Sequence, residues 1–185
     1  MKIAIAGAGA VGGFIGACLK KAGNDVVFLA RGNHLAAMIE KGLEVKGERS
    51  FIVDGEFTDD VERFSDAELS LFSVKSTDTK AMAEQVAPHL NEGAIVLTLQ
   101  NGVDNEETLS AIFGADRVLA AATYMQAHIE APGVIHNEGT TQVVIGALVD
   151  TMKEEAEKVV EVFKSAGIKT KVHGNIIESK GKKLL

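Results

Sequence analysis

The chain has a single cysteine, two prolines and few aromatic residues, 5% of the total. One thiol cannot build a disulfide framework or a cysteine metal cluster. Cys18 falls between Ala17 and Leu19 and reads as a small core residue. Scarce aromatics beside 46% hydrophobic residues imply an aliphatic core of Val, Ile, Leu and Ala, a composition that suits a mostly parallel sheet flanked by helices. A basic excess is also missing: 19 Lys and Arg stand against 26 Asp and Glu, a net charge of −7. An acidic chain without a basic stripe argues against nucleic acid as a partner. No apolar run approaches the length of a membrane span, and residues 1–6 lead straight into a glycine turn rather than a secretory signal. A soluble, cytoplasmic protein with no membrane partner is therefore expected. His34, His89, His128, His136 and His173 are scattered without ligand spacing, so no metal site is expected. The length of 185 residues suits one well-filled domain and is short for two.

What is present is concentrated at the start. Met1-Lys-Ile-Ala-Ile-Ala6 reads as a short buried strand, and Gly7, Gly9 and Gly12 follow at G-x-G-x-x-G spacing. Phe14, Ile15, Ala17, Cys18 and Leu19 continue as a helix ending near Gly23. Strand, glycine turn and helix in that order are the context that makes this glycine pattern a dinucleotide fingerprint. The first glycine permits the turn, the second lets the backbone approach a pyrophosphate, and the third lets the helix lie close on the strand. Free N–H groups and the helix dipole at residues 10–13 offer a site for phosphate.

Further elements can be placed from their periodicity. Val26–Leu29 reads as a second buried strand, and His34–Lys41 as a short helix. Two alternating strands, 43–48 and 50–54, are joined around Gly47. Leu69–Val74 and Ala94–Leu99 are central strands, each followed by a helix, 78–87 and 105–113. Val118–Thr123 returns to the sheet. From Met125 to Leu148 the helical period vanishes, and Pro132-Gly133 and Glu138-Gly139 punctuate short strands, expected to be antiparallel additions. An amphipathic helix with Met152, Ala156, Val159, Val160 and Phe163 on one face precedes a last strand, 168–172. The fold class is α/β: a Rossmann-type, doubly wound, mostly parallel sheet with added antiparallel strands.

Candidate chemistry lies at the strand ends, where open α/β sheets bind ligands. Arg31 stands just beyond the second strand, where NAD-binding sheets usually carry an acid for the ribose hydroxyls, and no carboxylate occupies 26–32. An arginine there can pair with a 2′-phosphate, which favours NADP(H); the alternative is a solvated arginine at a strand end. Lys75 ends the next central strand, placed either to meet phosphate, ribose or a substrate carboxylate or simply as a solvated terminus. Asn101 precedes Gly102, so it serves turn geometry alone or hydrogen-bonds ribose or substrate. Asn105-Glu106-Glu107 reads as an acidic first helical turn beside the dipole rather than as catalytic carboxylates.

Gly7-Ala8-Gly9-Ala10-Val11-Gly12-Gly13, Leu29-Ala30-Arg31, Ser73-Val74-Lys75, Leu99-Gln100-Asn101-Gly102-Val103, Gly114-Ala115-Asp116-Arg117-Val118 and Pro132-Gly133-Val134 occur in an order and at intervals that resemble the ketopantoate reductase family. That family reduces 2-dehydropantoate, a 2-keto acid, to pantoate with NADPH on the route to pantothenate and coenzyme A. The resemblance implies that Gly7, Ala8, Gly9, Ala10, Val11, Gly12, Arg31 and Lys75 hold NADP(H). It implies that Asn101 touches both cofactor ribose and substrate, and that Ala127, after the Thr123-Tyr124 segment, lines the nicotinamide side. The family's general acid is a lysine in a Trp-x-Lys-Leu stretch; Gly181-Lys182-Lys183-Leu184 fits it, with Gly181 where Trp is usual and Lys183 as the acid. The family continues into a helical substrate domain. Residues 1–175 are thus expected to be the NADP(H)-binding domain and 176–185 the start of a linker helix, with the helical domain absent from the chain. The apolar Leu184-Leu185 end is compatible with self-association as a homodimer. A silent NADP(H)-binding module or redox sensor, and a reductase of another 2-keto acid, remain open alternatives.

Overall fold

The computed structural model describes residues 1–100 and 104–174. The chain starts with a strand–helix–strand unit, β1 (Lys2–Ala6), α1 (Ala10–Lys21) and β2 (Asp25–Leu29). Helix α2 (Gly32–Lys41) leads to the hairpin β3 (Leu43–Gly47) and β4 (Phe51–Val53), then to β5 (Glu56–Thr58). Two strand–helix units follow: β6 (Leu69–Phe72) with α3 (Thr79–Val86), and β7 (Ile95–Thr98) with α4 (Asn105–Phe113). The long strands β8 (Val118–Ala131) and β9 (Val134–Ala147), helix α5 (Lys153–Ser165) and β10 (Lys169–Val172) complete the described chain.

All these strands join one sheet in the order β4-β3-β9-β8-β7-β6-β1-β2-β5, with β10 also on β9. From β5 through β2, β1, β6 and β7 to β8 every pairing is parallel, and the chain order reverses between β1 and β6. This is the doubly wound order whose reversal point opens a crevice at the strand carboxyl ends. Strand β9 runs antiparallel to β8, and its outer edge pairs in parallel with β3 along one half and with β10 along the other. The expected α/β architecture with antiparallel additions is therefore the observed one.

The strand alternation sorts the core onto two faces. Ile3 and Ile5 of β1 and Phe28 of β2 pack with α1 and α5, while Ala4, Ala6 and Val27 pack with α3 and α4. Phe72 and Phe113 meet edge-to-face on the second side, with ring centroids 5.8 Å apart. Helix α5 presents Ala156, Val159, Val160 and Phe163 to the first side, as its period requires. Helix α1 is different: its eight consecutive residues from Gly12 to Leu19 are all buried, so it lacks a solvated face there. A side chain at Gly16 would lie 2.7 Å from Phe28 and 3.0 Å from Ile5 below, and one at Gly13 would collide with Ile135 of β9.

Two sequence expectations need correction. The region 125–148 forms not short strands but the second part of a hairpin of two 14-residue strands. Pro132-Gly133 does turn the chain, but Glu138-Gly139 does not break it. Residues 139–141 of β9 are instead accommodated opposite Met125 in a register shift between Tyr124 and Gln126. Strand β5 was not anticipated, because three residues are too few to show a period.

Cys18 is fully buried on α1, with the Arg49 guanidinium donating to its Sγ at 3.1 Å. Burial pushes the thiol up from 9.0 to about 11, outweighing the opposing pull of Arg49 and Lys21. The folded state therefore holds this proton more tightly than the unfolded chain. Stability that depends on it is complete below pH 9.0 and is lost as pH rises toward about 11. Labelling with a thiol reagent at pH 8 is expected to be at least about a hundredfold slower in the native chain than in urea, since native thiolate is scarce and enclosed. Comparable rates in the two states would contradict this placement.

Candidate functional site

The glycine turn is shaped by its contacts with the sheet. Gly7 adopts φ +104°, which disfavours side chains, and a Cβ there would lie 2.8 Å from the Val74 side chain and 3.0 Å from its backbone nitrogen. The Ala8 N–H donates to the Leu29 carbonyl at 2.8 Å, tying the turn to the end of β2. Gly9 caps α1 without a side-chain hydrogen bond, and a Cβ added to it would meet nothing within 4 Å. No acid stands in the first turn of α1, so its N–H groups and dipole are not neutralised from within the helix. Gly12 is the close-packing glycine: a Cβ there would run into the Gly7 carbonyl oxygen and lie 2.9 Å from the Ser73 Cβ.

The turn opens on a cleft of about 660 Å³ at the carboxyl ends of β1, β2 and β6, where the strand order reverses. Gly7, Ala8 and Gly9 form one wall; Leu29, Ala30 and Arg31 form a second; Val74, Lys75 and Asp78, with Ala81, Met82 and Gln85 of α3, form a third. His34, Asp59, Val61 and Ile129 complete the lining. Arg31 and Lys75 are both exposed, and neither joins an ion pair among the described residues. Two cations, a helix N-terminus and apolar surfaces at Val61 and Met82 suit a ligand with phosphates and a flat apolar ring.

A buried hydrogen-bond chain sets the loops behind this cleft. Thr98 Oγ1 donates to Gln100 Oε1 at 3.1 Å, and Gln100 Nε2 donates both to the Val74 carbonyl at 2.7 Å and to Thr79 Oγ1 at 2.6 Å. Thr79 Oγ1 donates on to Asn105 Oδ1 at 3.0 Å, and Asn105 Nδ2 to Ser76 Oγ at 3.3 Å. The chain clamps the Lys75 loop to the residue just before Asn101. Sequence reading missed Gln100, Thr79 and Asn105, because nothing in their spacing shows that α3, α4 and two strand ends converge. Glu106 and Glu107 do stand in the first turn of α4, as expected, while Asn105 is a buried network member and Glu106 is buried as well, only 2% exposed. His34 was also missed as a site residue: it bridges the glycine turn and the β8–β9 turn through its two ring nitrogens.

The other expected residues fall as follows. Ala10 and Val11 form the half-buried first turn of α1, with Gly12 buried behind them. Ala127 is half-buried on β8 and packs on the α1-side core; Ile129, two residues along the same strand face, reaches the cleft. Asn101 and Lys183 lie outside the described residues, as do 176–185.

The two glycines make opposite demands. Gly12→Ala is expected to lower stability by about 1–3 kcal/mol, since its neighbours are backbone and core atoms. Gly9→Ala, which meets open space, is expected to stay within about 0.5 kcal/mol of the parent. Urea denaturation of both variants measures the contrast, and equal midpoints would contradict the packing role of Gly12.

Comparison with known proteins gives a consistent family. The family described as Ketopantoate reductase PanE/ApbA matches residues 3–150. The chain is 38% identical over 177 residues to the 2-dehydropantoate 2-reductase of Pyrococcus abyssi, covering 96% of this chain and 58% of that protein. It matches the crystal structure of a PanE/ApbA family ketopantoate reductase from Ralstonia eutropha JMP134 with a TM-score of 0.92 and 34% identity, over 100% of this chain and 60% of that one. D-mandelate dehydrogenase, solved in a ternary structure with NADH and anilino(oxo)acetate, matches with a TM-score of 0.91 and 25% identity, over 99% of this chain and 60% of that one. The chain thus spans less than two thirds of the length of each of these three relatives. With its Rossmann-type sheet and glycine turn, it belongs to the ketopantoate reductase PanE/ApbA family.

Proposed function

We propose that this chain forms the NADP(H)-binding part, residues 1–175, of an enzyme that reduces 2-dehydropantoate, a 2-keto acid, to pantoate. The observation that carries the proposal is the cleft itself. Its glycine wall is open at Gly9, and Arg31 and Lys75 bring two positive charges to it without acidic partners among the described residues. The Gly7–Gly12 turn and the first turn of α1 would receive the pyrophosphate on backbone N–H groups. Arg31 would grip the 2′-phosphate with its planar fork, and Lys75 would meet phosphate, ribose or a substrate carboxylate.

When bound, reduced nicotinamide supplies the hydride for the ketone carbon. The contribution of the chain is placement and charge. Asn101 would hydrogen-bond ribose and substrate, and Ala127 would line the nicotinamide side. Lys183, as an ammonium, would polarise the substrate carbonyl and protonate the developing alkoxide.

One observation favours a second reading, NADH as the coenzyme. Asp59, after β5, lines the same cleft as Arg31 and offers a carboxylate that could accept from ribose hydroxyls. The D-mandelate dehydrogenase relative was solved with NADH. Fluorescence titration separates the two: NADPH is expected to bind more tightly than NADH, and equal dissociation constants would count against the NADPH reading. Arg31→Glu is expected to weaken NADPH relative to NADH by about tenfold to a hundredfold, the scale of a lost charge-assisted hydrogen bond. Asp59→Asn is expected to leave the NADPH preference in place. A pantoate-forming assay of NADPH oxidation distinguishes a reductase from a module that binds without turnover.

A further inference from the structure

His34 occupies a place that no catalytic or coenzyme contact accounts for. It lies in the first turn of α2 and is half-buried at the edge of the cleft. Its Nε2 lies 2.9 Å from the Ala8 carbonyl oxygen, 26 positions away in sequence. The Gly133 N–H, 99 positions away, donates to its Nδ1, also at 2.9 Å. The partners settle the tautomer. A backbone N–H can only donate, so Nδ1 carries no proton; a carbonyl can only accept, so Nε2 carries it. The imidazole is therefore a neutral relay from the β8–β9 turn to the glycine turn.

Gly133 is fixed on its other sides. Its carbonyl accepts from the Glu44 N–H at 2.9 Å, and a Cβ added to it would lie 3.0 Å from Ala37 of α2. The hairpin turn is thus a rigid support against which the ring rests. At the other end, Ala8 sits between two glycines, whose missing side chains leave the adjoining peptide planes with little steric restraint. The Ala8 N–H is held by Leu29. The carbonyl of Ala8 belongs to the next peptide plane, which it shares with the Gly9 N–H, and its hydrogen bond to a side chain comes from His34. In a trans peptide the N–H points opposite to the C=O. Turning the Ala8 carbonyl toward His34 therefore turns the Gly9 N–H away from the ring and sets its direction.

We infer that His34 is a positioning residue of the glycine turn: its Nε2–H, braced through Nδ1 by Gly133, fixes the Ala8–Gly9 peptide in the orientation that receives the coenzyme pyrophosphate. This rests on the dinucleotide reading of the cleft. It gives the β8–β9 hairpin a second task, as the brace of a loop on a distant part of the sheet. The ring does not act on the substrate, and it needs neither a metal nor a protonated state.

The test uses two ligands and three variants. Adenosine 2′-phosphate carries the adenine and the 2′-phosphate but no pyrophosphate; NADPH carries all three. Gln at position 34 can still donate toward Ala8 from a position like that of Nε2, Asn can accept from Gly133 at a position like that of Nδ1, and Leu fills space with neither bond. His34→Leu and His34→Asn are expected to weaken NADPH by about tenfold, with adenosine 2′-phosphate unchanged and thermal midpoints close to the parent. His34→Gln is expected to recover most of the NADPH affinity. Parent-like NADPH binding by His34→Leu would overturn the inference, as would equal losses for both ligands, or rescue by Asn rather than Gln. If His34→Leu does not fold, the Gln and Asn pair still decides between the two bonds. Failure of the unmodified chain to bind either NADPH or NADH would overturn the dinucleotide reading and the positioning role with it; parent binding with unaffected variants would remove only the latter.

Discussion

Helix α1 is enclosed, and the geometry of the site depends on that enclosure. From Gly12 to Leu19 every residue is buried, with β1 and β2 beneath the helix and β9 beside it. Such close approach is possible because Gly12, Gly13 and Gly16 present no side chain where the Gly7 carbonyl, Ile135 and Phe28 come in. Phe14, Ile15 and Leu19 fill the remaining directions, each contributing about 1.5–3 kcal/mol through burial. Because the helix cannot shift sideways, its N-terminus stays aimed at the crevice between β1 and β6. The same glycines that make the turn recognisable thus also hold the N-terminus of the helix in register with the sheet.

Around that fixed point the cleft is assembled from segments that are far apart in the chain. Arg31 is delivered by the end of β2 as the residue capping α2, and Lys75 by the loop after β6. Neither is held by an ion pair among the described residues, so the surrounding structure sets their position while leaving their charge available. The Gln100–Thr79–Asn105 chain stiffens the floor, since each polar group in it is buried and would cost free energy if its partner were lost. Asp59 and Asp78 place negative charge on the same rim. The cleft thus carries charges of both signs on one rim.

Much of the architecture was legible. The central strands and the five helices of the described residues could be placed from their patterns, and the glycine spacing located the turn on which the cleft opens. Arg31 and Lys75 could be placed beside the cleft because both follow the carboxyl ends of sheet strands. What escaped had a common cause. Strand β5 is three residues long and has no period to detect. The Glu138-Gly139 pair looked like a break, but its partner strand absorbs the extra residues in a register shift. His34 shares no ligand spacing with the other four histidines, and its partners are two backbone groups.

The sequence by itself determined the alternation of strands and helices, the glycine turn and the location of cationic residues at strand ends. These are local matters, governed by side-chain period and by which residues a tight turn admits. Only the tertiary structure decided that β3 and β10 share the outer edge of β9, that α1 is buried from Gly12 to Leu19, and that Ala8, His34 and Gly133 form one hydrogen-bonded line. Contacts of that kind depend on the relative placement of whole elements, and the partners are backbone groups that every residue carries, so no residue pattern announces them.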